Sequence, residues 1–161
     1  MTKNNKISNY RSEVIERTIN VEWLMNAIIS QHYFKLVARD FLLQVLYDEY
    51  FSFGLKRRII EKIIDDIDKQ QIQKLNRINT IRNYFAHCGQ EMFKGDAPPP
   101  TKSKGSVPDP RRVDSTIDFE KLYNEFMDII GDVEKYLGEI YQLKGGELYE
   151  YRNGHLIKMS K

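Results

Sequence analysis

Residues 69–89 read KQQIQKLNRINTIRNYFAHCG. Ile72, Leu75, Ile78, Ile81 and Phe85 recur at steps of three and four, which lays a single apolar stripe along a helix. Asp68 is placed to cap its first turn and Gly89 to stop it. The opposite face carries Gln73, Asn76, Thr80, Asn83 and His87, with no lysine or glutamate among them. A solvated helix face normally carries charge, so this one is expected to meet a partner. Arg82 projects about 40° from Ile78, at the edge of the apolar stripe. An arginine is buried there only with a counter-charge.

Upstream, the stretch from Ser12 to Tyr33 repeats the pattern with Val14, Val21, Met25 and Ile28, widened by Leu24 and Ile29. An amphipathic helix starting near Ser12 is expected. Glu22 projects roughly 80° from Val14, again at a stripe margin, and is the expected partner of Arg82. Lys35 to Tyr50 is apolar nearly all round, through Leu36, Val37, Phe41, Leu42, Val45 and Leu46, and reads as a central helix covered on several sides. Phe53-Gly54 breaks it. Leu55 to Ile67 then reads as a third helix burying Ile59, Ile60, Ile63, Ile64 and Ile67.

Downstream, residues 89–116 hold all five prolines and show no periodicity, so a long loop is expected. Between residues 94 and 112 it carries Lys94, Lys102, Lys104, Arg111 and Arg112 against Asp96 and Asp109. It is either a solvated linker or a basic contact surface. Ser115 or Thr116 is placed to cap a last helix, Asp118 to Leu143, striped by Phe119, Leu122, Phe126, Ile129, Ile130, Val133, Tyr136, Leu137, Ile140 and Tyr141. The tail, 145–161, reads as a β-hairpin turning at Asn153-Gly154. The expected fold is all-α: an up-and-down bundle of four to five helices in one domain, 1–161, with a long loop before the last helix and a small C-terminal hairpin.

Composition narrows the function. Hydrophobic residues make up 41% and charged residues 30% of 161, as in a globular protein. The apolar runs are short (Trp23–Met25, Phe41–Leu43), so no membrane span is expected. The first ten residues, MTKNNKISNY, have no apolar stretch, and no signal peptide is expected; a cytoplasmic protein is the reading. One cysteine, Cys88, leaves no internal disulfide framework and no cysteine-based zinc site, and it reads as a small buried apolar residue. The net charge is only +2, so nucleic-acid binding would need a local patch. No glycine-rich phosphate loop, paired-histidine zinc motif or calcium loop occurs, and neither a metal nor a cofactor is expected. His32 falls on the apolar stripe of the first helix, where a core or interface role is expected, and His155 sits in the tail.

Arg82 and His87 belong to the string RNYFAH, followed by Cys88-Gly89. An R-N-x-x-A-H string near the end of a helix, in a helical chain of this size, resembles the HEPN superfamily. INVEWLMNAIISQHYF upstream, then FGLK, adds to the likeness with the mannitol-operon-repressor type and with other bacterial HEPN-like proteins. In those, a glutamate on the first helix and a lysine after the second recur in comparable places. The likeness covers Ser12 to Gly89 and extends to the last helix by type only.

The resemblance implies a metal-independent endoribonuclease whose site forms across a homodimer, with Arg82 and His87 catalytic. Asn83 is expected to support them, and Glu22 is expected either to orient Arg82 toward the site or to form a purely structural bridge with it. In such an enzyme the RNA 2′-hydroxyl attacks the adjacent phosphate and leaves a cyclic phosphate. The residue types suit that chemistry: a histidine exchanges protons near neutral pH, and an arginine offers a fixed fork of donors to phosphate oxygens. Lys102, Lys104, Arg111 and Arg112 are the candidate RNA contacts. A toxin or defence setting with an antitoxin or regulatory protein partner is a further expectation. Many toxins of the family continue R-x-x-x-x-H-x-Y, and here Gly89 takes the tyrosine position. The alternatives are a non-catalytic dimeric RNA-binding or regulatory module, and a structural domain in which RNYFAH is incidental.

Overall fold

The first helix, α1 (Lys3–Phe34), lines one side of the core with Val14, Val21, Met25 and Ile28, all fully buried. The structure is a computed structural model that describes residues 3–87, 106–109, 112–152 and 155–158; these are mostly helical. α1 starts well before Ser12, whose hydroxyl donates to Ser8 O at 3.1 Å from within the helix. It ends because Lys35 adopts a left-handed backbone, φ 61°, which a helix cannot continue through.

A long central helix over Lys35–Tyr50 does not form. Buried Ser30 holds the chain after α1 in a turn: its hydroxyl donates to Leu36 O at 2.9 Å and accepts from Ala38 N at 2.7 Å. Beyond that turn, one short helical piece, α2 (Arg39–Phe41), runs into a π-helical turn, Leu42–Leu46. Tyr47 N donates to Leu42 O, five residues back. Leu42 and Leu46 are buried, whereas Leu36 and Leu43 are each 56% exposed.

Helix α3 (Phe53–Ile63) begins at Phe53, two residues before the expected Leu55, because Ser52 Oγ accepts from Leu55 N at 3.3 Å. It buries Phe53, Ile60, Ile63 and, unexpectedly, Lys56; Ile59, Ile64 and Ile67 are only half-buried. Asp68 Oδ1 accepts from Gln70 N at 2.8 Å at the start of α4 (Lys69–His87), as the sequence suggested. Its whole stripe, Ile72, Leu75, Ile78, Ile81 and Phe85, is buried. Cys88, Gly89 and the stretch to residue 105 lie outside the described residues.

Part of the segment expected to be a loop is strand. β1 (Ser106–Asp109) pairs antiparallel with β2 (Arg112–Asp118), Ser106 opposite Asp118, with an irregularity between Pro108 and Asp109. Proline lacks the N–H that a regular ladder uses, and its presence masked any strand signal. Because β2 runs through Asp118, this residue rather than Ser115 or Thr116 caps α5 (Phe119–Leu143), accepting from Glu120 N and Lys121 N at 3.0 and 3.1 Å. Gly145, at φ 90°, turns the chain out of α5. β3 (Tyr149–Arg152) pairs antiparallel with β4 (His155–Lys158); the expected turn, Asn153-Gly154, lies outside the described residues.

α1 packs against α3, α4 and α5, and α4 packs against α5, around one hydrophobic core. Phe85 meets Phe119 at 5.0 Å between centroids, and Tyr10 stacks on Tyr123 at 3.9 Å. Ion pairs join α1 and α4 to α5: Arg17 with Glu134, Lys74 with Asp132 at 2.9 Å, and Arg77 with Glu125 through two bonds of 2.5 and 2.6 Å. The Arg77 guanidinium holds the Glu125 carboxyl below the usual glutamate range. Among the described residues no helix is long and apolar enough to cross a membrane.

Candidate functional site

A cleft of about 490 Å³ opens between α1, the turn after α2, the first turn of α3 and the second half of α4. Arg82 and Asn83 line it from α4, one turn beyond Asn79. α4 aims them there because its apolar stripe is locked into the core, leaving the adjoining side to the cleft. Glu22 lines it from α1 and Lys56 from α3. Ser52, Phe53 and Gly54 add the N-terminal turn of α3, where backbone N–H groups point outward and favour negative charge.

The expected ion pair between Glu22 and Arg82 is not made. Glu22 Oε1 accepts from Lys56 Nζ, and Lys56 also lies 5.5 Å from the Tyr47 ring centroid. The reason is burial: Lys56 is 1% exposed and its ammonium must be paired, whereas Arg82 is only half-buried and its guanidinium is under less demand for a counter-charge. Arg82 Nη1 instead donates to Asn83 Oδ1 at 3.1 Å. That contact steadies the guanidinium and leaves its other donors uncommitted among the described residues. Arg82, Asn83 and Glu22 thus share one cleft, although Glu22 acts on Lys56 and not on Arg82.

His87 is the last described residue of α4, and its side chain lies outside the described residues. Five residues separate it from Arg82 on one regular helix, about 140° of rotation. Arg11 of α1 reaches the same helix end, donating from Nη2 to Ala86 O at 3.2 Å. The uncharged face of α4 is open at Gln73 and Asn76, and Thr80 donates back to Asn76 O at 2.9 Å. Lys102, Lys104 and Arg111 lie outside the described residues, as does the side chain of Arg112, whose backbone opens β2. His32, on α1, sits away from the cleft beside Lys144, whose Nζ is 3.3 Å from Nδ1; burial and that ammonium lower its pKa.

Lys56, Asn79, Tyr47, Asp48 and Glu49 also line the cleft. Sequence reading names none of them as site residues. FGLK is the one available signal, since it points to Lys56 as a lysine in a comparable place. Comparison with protein-family models, with curated proteins and with solved structures finds no match.

Proposed function

We propose that this chain is a HEPN-type, metal-independent endoribonuclease that works as a homodimer with a composite site. The observation that carries the reading is the gathering of Arg82, Asn83 and Glu22, three residues singled out by the likeness, around one cleft beside the α3 N-terminus. On this reading the chain is an up-and-down bundle closed by its C-terminal hairpin, and the exposed amide face of α4 meets a second copy. The 140° between Arg82 and His87 favours completion of the site across that dimer.

The chemistry follows from the residue types. His87 takes the proton of the ribose 2′-hydroxyl, whose oxygen bonds to the adjacent phosphorus. The bond from phosphorus to the 5′-oxygen breaks, and that oxygen takes a proton from water as it leaves, giving a 2′,3′-cyclic phosphate and a 5′-hydroxyl. Arg82 donates to the phosphoryl oxygens as charge builds on them. Asn83 holds the guanidinium in position, and Glu22 supports the wall by neutralising Lys56. Labelled RNA incubated with the protein and EDTA tests this: cleavage that survives chelation and disappears in Arg82→Ala and His87→Ala supports the enzyme. Binding without cleavage would support the non-catalytic dimeric module instead, and neither would leave RNYFAH incidental.

A further inference from the structure

The charges around the cleft do not match a bare polyanion. Lys56 is neutralised by Glu22, which leaves Arg82, Asp48 and Glu49 as the other charged residues lining the cleft. A phosphate alone would be drawn to Arg82 and repelled by the two carboxylates. A nucleotide satisfies both ends: its phosphate is negative, and the edge of its base can present N–H donors to a carboxylate. Tyr47, 49% exposed on the cleft wall with the Lys56 ammonium on its ring, offers an aromatic surface for such a base.

We propose that the cleft holds a base subsite for guanine, in which Asp48 reads the base edge beside a phosphate held by Arg82; this rests on the RNA-cleaving function proposed for the same cleft. Asp48 is fixed for that role. Its Oδ1 accepts from Tyr50 N at 2.9 Å, closing a local turn, and because each carboxylate oxygen has more than one lone pair, both oxygens can still accept from a ligand. Guanine alone of the four RNA bases presents two adjacent donors, N1–H and the 2-amino group, on its Watson–Crick edge. Adenine and cytosine each present a single amino group there, and uracil presents one N–H between two carbonyls.

Asparagine at position 48 can keep the turn through its Oδ1 while placing an amide donor where the second carboxylate oxygen stood. The test therefore compares wild type, Asp48→Asn and Glu49→Gln, as full chains, by fluorescence anisotropy. The probes are 2′-fluoro oligouridylates, which lack the attacking hydroxyl, carrying one central guanine, hypoxanthine or uracil. Wild type should prefer guanine over uracil by about tenfold or more, with hypoxanthine between them, as expected for hydrogen bonds to a charged group. Asp48→Asn should abolish that preference while still binding the uracil probe, and Glu49→Gln should retain it. Equal affinity of wild type for all three probes, or an undiminished preference in Asp48→Asn, overturns the guanine subsite and leaves the RNA reading standing. Failure of wild type to bind any probe overturns both.

Discussion

Lys56 of α3 and Glu22 of α1 form an ion pair in which the lysine side chain is 2% and the glutamate side chain 26% exposed. The pair ties two helices together beneath the cleft. Its asymmetry sets the consequences of breaking it, because only the lysine is fully removed from water.

Glu22→Gln leaves a buried ammonium without its counter-charge and should cost about 3 kcal/mol of stability in urea denaturation. Lys56→Met fills the same space, leaves only a partly exposed carboxylate, and should cost much less, about 1 kcal/mol. A double-mutant cycle should give strong coupling between Glu22 and Lys56 and less than about 0.5 kcal/mol between Glu22 and Arg82. Coupling of the opposite order would restore the pair expected from sequence.

Tyr123 on α5 donates to Glu13 Oε2 at 2.6 Å, and the bond to that carboxylate, with burial, pushes its pKa up to about 12. An acid whose folded pKa lies above its unfolded value, near 10, stabilises the fold fully below pH 10. That contribution should fade as pH rises through the folded value. Alkaline titration followed by tyrosinate absorbance should show a late-titrating component that is smaller by one tyrosine in Tyr123→Phe. The same variant should flatten the fall of stability above pH 10; an unchanged slope would contradict the assignment.

The helical stripes are legible in the sequence because burial follows the helical period: Ile72, Leu75, Ile78, Ile81 and Phe85 on α4 are buried, as are Val14, Val21, Met25 and Ile28 on α1. Lys35–Tyr50 departs from expectation because an all-round apolar sequence looks like a covered helix. Its course is set by a left-handed Lys35 and by the Ser30 hydroxyl, neither of which has a periodic signature. The cleft is half legible. Projection places Glu22 and Arg82 at stripe margins, but it cannot say which side chain lies across from which. Lysine is ordinarily a surface residue, so the burial of Lys56 that captures Glu22 has no signal in the α3 pattern.

Replacing Lys102, Lys104, Arg111 and Arg112 together with alanine should weaken RNA binding and flatten its dependence on salt, because fewer counterions are released. The melting temperature should stay nearly unchanged. Equal affinity and an equal salt slope for the quadruple variant would make the segment a linker.

The composite dimer site is tested most directly by mixing two inactive proteins. Arg82→Ala and His87→Ala are each expected to lose cleavage, while light scattering should report about twice the 19.1 kDa chain mass for both. Co-refolded in equal amounts, about half of the dimers should be mixed, each joining the arginine of one copy to the histidine of the other. EDTA-resistant cleavage should then return at about a quarter of the wild-type rate. A mixture as inactive as its parents, beside an active wild type, would contradict a site shared between two copies.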